Sequence, residues 1–457
     1  MKTRRVVIIG CVTAFLLTAC LINVFLTKVK ERRPPNIIIL LVDALRKDHM
    51  SLYGYPLKTT PEIDRFAQDA LVFQDTISQA SWTLPSVGSL FSSLYPYLHN
   101  AGTEDEQGQL QALNNKIIVL AEIVKEKGYR TAAFTANFFI GKEFQMHRGF
   151  DVLNHRLDTC KLSAKELNQA ALQWIDAEKN KPFFVYVHYM DVHGPYNPPT
   201  PYDTFIETKA IKRLTAKHRK ALGYLSAGKK KDKSNLNYYI NRYNGALIYV
   251  DDQIGRLLKD LKKRKLLENS LVIITADHGE AFFEHGFFDH GNNLYNEEIN
   301  IPLIIKFPDG MRCPDNTQRK VGLIDIVPTI AQILGYRLPY NIDGQDLCDP
   351  TGNEINPERR IFSELDYLAA MMKDDLKAVY DSNQAKITEL YDRLSDKAEK
   401  ENIYRLYPDK VKELQEEIAS WITMMEQRKK KLGLRASNLS IEDEEILDQL
   451  RAVGYLQ

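Results

Sequence analysis

The sequence predicts an α/β protein: a central, mostly parallel sheet flanked by helices, followed by a smaller C-terminal α+β subdomain. Three observations predict it. Short apolar runs recur, as in NIIILLVDAL, KPFFVYVHYMDVH and LVIITADHGE, and such runs are strands buried on both faces. They alternate with helical patterns, which calls for parallel pairing. Each run also ends in polar residues, at the strand ends where open α/β sheets bind ligands. A chain of 457 residues suits one large domain with a smaller appendage.

Taken in order, residues 1–33 read as an N-terminal membrane anchor or signal segment. MKTRR precedes VVIIGCVTAFLLTACLINVFL, residues 6–26, which carries no charged residue, and KVKERRPP follows. That run is long enough to cross roughly 30 Å of hydrocarbon as a helix. LTAC, ending at Cys20, has the form of a lipoprotein signal, but the apolar run continuing past it favours an uncleaved anchor. Either form predicts a chain tethered to the cell membrane, single-pass or lipid-anchored, with its catalytic part extracytoplasmic.

Residues 34–350 read as the catalytic domain. After the first strand, TPEIDRFAQDAL opens on a Thr-Pro helix start. IIVLAEIVKEKGYRTAAFTAN reads as helix, glycine turn, strand, and INIPLIIKFP is a further strand. Residues 351–457 read as a C-terminal subdomain with a turn-rich segment and then an amphipathic helix, KVKELQEEIASWITMMEQRKKK. Outside the apolar segment, Cys160, Cys313 and Cys348 lack metal-binding spacing, and a pair between Cys313 and Cys348 stands open beside buried free thiols.

Lys+Arg 61 against Asp+Glu 60 gives no basic excess, which argues against nucleic acid as a partner. One local run differs: TKAIKRLTAKHRKALGYLSAGKKKDK holds ten Lys or Arg and one Asp. It reads as a solvated face or as a basic lid for anionic lipid headgroups or an anionic glycan.

The strand ends carry Asp43, Asp191 with His193, and Asp277 with His278. Asp43, Asp277 and His278 offer two carboxylates and an imidazole, a set suited to one divalent metal ion (zinc, manganese or calcium), with the imidazole favouring zinc or manganese. Each alone has a plainer reading, a helix cap for the aspartates and a structural histidine for the other.

An ordered series of segments resembles the sulfatase family of the alkaline phosphatase superfamily: NIIILLVDALRKDHMSLYGYPLKTTPEIDRFA, SWTLPSVGSLFSSLYP, DVHGPY, TADHGE, DHGNNLYNEEINIPLII, VGLIDIVPTIAQILGY, IDGQDL and ELYDRLSDKAEKENI. The resemblance implies an alkaline-phosphatase-like sheet and ester-cleaving chemistry. It implies that Asp43, Thr83, Asp277 and His278 bind the metal, and that Thr83 is the nucleophile at a helix start. His193 and His290 would hold the leaving or non-bridging oxygens, with Asn137 lining the same pocket and Asp191 and Arg46 close by.

The series departs from a sulfatase at defined points. Sulfatases attack with a formylglycine made from Cys or Ser in a C/S-x-P-S-R motif, whereas this chain has Thr83 and, in place of the arginine, Val87. Oxidising a secondary alcohol gives a ketone, never the required aldehyde. Ala44 stands where a second aspartate is usual, and Asp277-His278 replaces the common Asp-Asn. Together these features resemble the superfamily's membrane-tethered phosphotransferases. The sequence therefore predicts cleavage of a phosphate or sulfate ester through a covalent Thr83 intermediate, phosphoryl transfer favoured. An arylsulfatase-like sulfuric ester hydrolase is one alternative, and a non-catalytic membrane-anchored binding protein that retains the fold is another.

Overall fold

Asn36–Val42 is buried along its whole length and forms β1, with β5 (Phe183–Tyr189) on one side and β6 (Ser270–Thr275) on the other, both parallel to it. The computed structural model describes residues 33–105, 110–155, 162–204, 236–349 and 359–434. From Asn36 onward these residues pack as one unit. The apolar run at residues 6–26, Cys160 and the basic run at residues 208–233 lie outside the described residues. Among those described, no helix is long and apolar enough to cross a membrane.

Numbering the remaining strands in chain order, β2 is Leu71–Ile77, β3 Arg130–Thr135, β4 Val152–His155, β7 Ala281–Phe282, β8 Phe288–Asp289, β9 Asn300–Lys306 and β10 Lys320–Gly322. The main sheet has eight strands in the order β10-β2-β9-β6-β1-β5-β3-β4. It is mostly parallel, as the sequence predicts. The exception is β9, read from INIPLIIKFP as one more strand, which runs antiparallel to both β6 and β2. It follows β6 through the β7–β8 hairpin rather than a long helix, so no crossover returns the chain to the parallel direction.

Isoleucine, leucine and valine dominate β1 and β6, and their side chains form the main core with the phenylalanines and tyrosines of β5. Helices Ala164–Glu178 and Leu236–Lys263 line the sheet with buried Leu167, Ala171, Ile175, Leu247, Ile254 and Leu261. The first of these starts on a capping box in which Ser163 accepts from the Glu166 amide and Glu166 reaches back to Ser163.

The C-terminal part is a four-stranded antiparallel meander, β11 Ile361–Leu365, β12 Leu368–Lys373, β13 Leu376–Asp381 and β14 Lys386–Asp392, followed by helix Pro408–Leu432. A second core joins them to the main body, where Trp421 stacks on Phe362 at 3.9 Å and meets Tyr95 edge-on. Buried Lys377 on β13 pairs with Glu399, and Glu399 accepts from the Asn296 amide, so this sheet clamps the segment after β8. Cys313 and Cys348 form a disulfide, which resolves the open reading of these two thiols.

Candidate active site

The strand order sets the site. Strands β6, β1, β5 and β3 are consecutive neighbours running in one direction, so the residues beyond their C-terminal ends share one rim of the sheet. Asp43 directly follows β1, Asp277 and His278 follow β6, His193 follows β5 and Asn137 follows β3. Thr83 is the first residue of the wholly buried helix Thr83–Ser92, with Trp82 as its N-cap.

These residues converge. Thr83 Oγ1 lies 3.4 Å from Asp43 Oδ2 and 3.3 Å from His278 Nε2. His278 Nε2 is in turn 3.5 Å from Asp43 Oδ1 and 3.5 Å from Asp277 Oδ2. All four side chains are buried. Each carboxylate spends one oxygen on the protein and leaves the other over. Asp43 Oδ2 accepts from Asn137 Nδ2 at 2.8 Å and meets His188 Nε2 at 3.0 Å, while Asp277 Oδ1 accepts from the Ala44 and His278 amides. Asp43 Oδ1 and Asp277 Oδ2 have no hydrogen-bond partner although buried. Unpartnered buried carboxylate oxygens are costly unless something else is meant to meet them.

A divalent cation fits that role. Donor atoms around a tetrahedral ion with bonds of about 2.0–2.2 Å stand about 3.4 Å apart, which matches the separations around His278 Nε2. His278 Nδ1 donates to the Gly279 carbonyl at 2.8 Å, which leaves Nε2 as the lone-pair nitrogen. Burial, with His290 alongside, pushes the His278 imidazole below its ordinary value against the pull of Asp277 and Asp43. Burial opposes ionisation of Asp43, but the imidazoles of His193, His188 and His278 outweigh it and hold its carboxyl well below the usual range. Both directions favour the ligand forms, anionic carboxylate and neutral imidazole.

His188 escaped the sequence reading. Asp43, His188 and Asp277 present donor atoms all within 4.8 Å of one another. The Tyr186 hydroxyl is 2.9 Å from His188 Nδ1. With that hydroxyl donating, Nε2 carries the proton and gives it to Asp43 Oδ2, so His188 braces the carboxylate from behind. A histidine inside the apolar run VYVHYM is the signal that could have found it, since no other side chain in the run is a common metal ligand or is ionisable near neutral pH.

The backbone at Asp43 is strained. Ala44 has φ 56°, in the left-handed region that residues with a Cβ avoid. It is held there by its amide on Asp277 and by the Tyr243 hydroxyl, which donates to the Ala44 carbonyl and accepts from the Arg46 amide, both at 2.7 Å. Gly279 supports the other wall: a Cβ there would lie 2.0 Å from the Glu297 carbonyl oxygen.

The remaining candidates divide. The His290 ring is 4.3 Å from that of His278 and 4.9 Å from that of His193, centroid to centroid, so both histidines stand at the site. Asn137 is also part of it, through Asp43. Asp191 instead accepts from the Ala164 amide and caps a helix. Arg46 makes ion pairs with Asp48 and Glu284 and donates to the Glu280 carbonyl. Val87, at the position of the sulfatase arginine, is fully buried in the main core and presents no cation.

Comparison with known proteins gives the family and the fold. The family model described as Sulfatase matches residues 35–336, and one described as N-sulphoglucosamine sulphohydrolase, C-terminal, matches residues 283–429. The uncharacterized sulfatase YidJ of Escherichia coli (strain K12) is 24% identical over 422 residues, covering 81% of this chain and 83% of that one. Among solved structures, BT4656 in complex with its substrate D-glucosamine-2-N,6-O-disulfate superposes with a TM-score of 0.69 at 20% identity, covering 88% of this chain and 98% of that one. The phosphonate monoester hydrolase of Agrobacterium radiobacter does so with a TM-score of 0.66 at 20% identity, covering 86% and 96%. These two likenesses establish the fold. With more than half of its length matched by the family model, the chain belongs to the sulfatase family of the alkaline phosphatase superfamily, enzymes of sulfuric and phosphoric esters.

Proposed function

We propose that this chain is a membrane-tethered, metal-dependent enzyme that cleaves phosphorus esters through a covalent intermediate on Thr83. The observation that carries the reading is Thr83 itself: a buried hydroxyl in the first turn of a helix, within 3.4 Å of both Asp43 and His278. A threonine cannot become formylglycine, so its own oxygen has to attack. The positive end of the helix dipole at Thr83 favours the anionic group it attacks.

Asp43, Asp277 and His278 would hold one divalent ion (zinc, manganese or calcium) beside Thr83. Such an ion lowers the pKa of a hydroxyl and polarises the transferred group. Thr83 gives up its proton, the bond from Oγ1 to phosphorus forms, and the ester oxygen leaves and takes up a proton. His193 and His290 stand beside this group and hold its leaving or non-bridging oxygens. Water or an acceptor alcohol then displaces Thr83 from phosphorus. A lipid headgroup or an anionic glycan supplies the ester.

A second reading, hydrolysis of a sulfated sugar, is favoured by the match of residues 283–429 to the N-sulphoglucosamine sulphohydrolase model. One experiment separates them. Protein made in a host lacking a formylglycine-generating enzyme is assayed on 4-nitrophenyl phosphate, 4-nitrophenyl phenylphosphonate and 4-nitrophenyl sulfate. The expected result is turnover of the phosphorus esters, with sulfate the slowest. Sulfate release with both phosphorus esters untouched overturns the proposal and leaves the sulfatase reading standing.

The tether has its own test. With residues 6–26 apolar and flanked by cations, the full chain is expected in the membrane fraction, and a chain beginning at Pro34 in the soluble one. The Cys313–Cys348 disulfide supports an extracytoplasmic catalytic part, because such bonds persist in oxidising compartments. Recovery of unprocessed full chain mainly in the soluble fraction counts against the anchor.

A further inference from the structure

We infer that Glu280, backed by Tyr196, is the positioning residue that fixes which nitrogen of His290 serves the reaction. The inference rests on the role proposed above for His290. Three observations carry it.

The first is topological. Glu280 directly precedes β7 and His290 directly follows β8, and these strands pair antiparallel with Ala281 opposite Asp289. The hairpin therefore returns His290 to the side of Glu280, two residues along the chain from His278. The second is the hydrogen bonding. Glu280 Oε1 is 3.0 Å from His290 Nδ1, and Glu280 Oε2 accepts from the Tyr196 hydroxyl at 2.8 Å. A carboxylate only accepts here, so His290 carries its proton on Nδ1, and chemistry at the ester has to run through Nε2.

The third is rigidity. Glu280 is fully buried, its amide donates to the Glu297 carbonyl at 2.9 Å, and its own carbonyl accepts from Arg46. Tyr196 is equally fixed, with its ring edge-on to Tyr243 and Phe282. A buried carboxylate held at so many points pins the ring it binds.

Glu280, Asp289 and His290 could also be read as a second cation site, since their donor atoms lie within 4.8 Å. The geometry disfavours that use. Both Glu280 oxygens already receive hydrogens, and a cation would have to displace the Tyr196 hydroxyl or the imidazole. Asp289 Oδ1 also lies 3.1 Å from His290 Nδ1, which places the ring proton on the same nitrogen, but its side chain is 41% exposed whereas Glu280 is fully buried and is the firmer of the two acceptors.

The test is a double-mutant cycle on the 4-nitrophenyl ester that the wild type turns over best. Glu280→Gln keeps the shape but offers one acceptor oxygen to two donors, so the His290 ring loses its fixed orientation. The expected loss is about 10–100-fold in kcat with KM little changed, the size seen when a group behind a ligand is removed. In the His290→Ala background the same change is expected to cost nothing further, because both act through one ring. Tyr196→Phe, the gentler variant should Glu280→Gln not fold, is expected to give a smaller loss that also vanishes in that background.

Losses that multiply in full with His290→Ala would show that Glu280 supports the fold rather than the histidine, and would overturn the inference. So would a fully active Glu280→Gln beside an impaired His290→Ala. Full activity of His290→Ala alone is a different result, one that removes the role proposed for His290 itself.

Discussion

Thr83→Ala is expected to lose turnover by at least about 10³-fold while remaining folded, because no oxygen is left to form the covalent intermediate. The side chain is wholly buried and its hydroxyl meets Asp43 and His278, so its removal touches the chemistry before it touches the core. Thr83→Ser is expected to keep part of the activity. A primary hydroxyl reaches the same point, but without the β-branch its χ1 is less fixed and less of the population aims correctly. Kinetics on the purified variants, together with mass analysis of the Thr83 peptide, checks both. The peptide should carry unmodified threonine at rest and a phosphorus adduct when turnover is quenched. A Thr83→Ala protein with wild-type rates would mean that another group attacks.

Asp277→Asn is expected to cost ~10² to 10³-fold or more in kcat/KM, the scale for losing a main electrostatic stabiliser. It should also release the metal ion. The substitution is close to isosteric, and its oxygen can still accept from the Ala44 and His278 amides as Oδ1 does now. What changes is the other arm. The unpartnered Oδ2 becomes an amide that aims hydrogens at the position a cation would occupy. Metal analysis and circular dichroism on the same preparation should therefore show less bound metal in an intact fold. Asp191→Asn is the control, because Asp191 accepts from the Ala164 amide at the start of a helix, a bond the amide oxygen of asparagine can keep. Unchanged metal content and rate in Asp277→Asn would place the metal elsewhere.

Much of the fold was legible from local pattern. NIIILLV, PFFVYVHY and LVIIT are continuous apolar runs because both faces of a central strand are covered, and they became β1, β5 and β6 at the middle of the sheet. The antiparallel direction of β9 was not legible. The same apolar run suits either direction, and the choice follows from the short hairpin path that precedes it. The C-terminal strands showed only as a general α+β expectation, since β11 to β14 are buried by packing that the local pattern does not report, Phe362 and Met371 in the second core and Ile361 and Met372 in a third cluster. Neither the apolar segment at residues 6–26 nor the basic run at residues 208–233 lies among the described residues, so both stay readings of composition.

By itself, the sequence determined which residues stand at the strand ends. An acid that closes an apolar run, as Asp43 and Asp277 do, announces itself locally, and the motif around Thr83 marks a helix start without any knowledge of its neighbours. Only the tertiary structure decided what each of those groups does with its atoms. Which oxygen of Asp43 is spent on Asn137 and His188, and which is left for a cation, depends on residues 94 and 145 positions away. The Asp277 contact to Ala44 spans 233 positions. Hydrogen bonds act over about 3 Å, whereas pattern along the chain reports only on neighbours in sequence. His188 and Glu280 therefore became visible only once the order β6-β1-β5-β3 and the turn back through β7 and β8 had brought those side chains together.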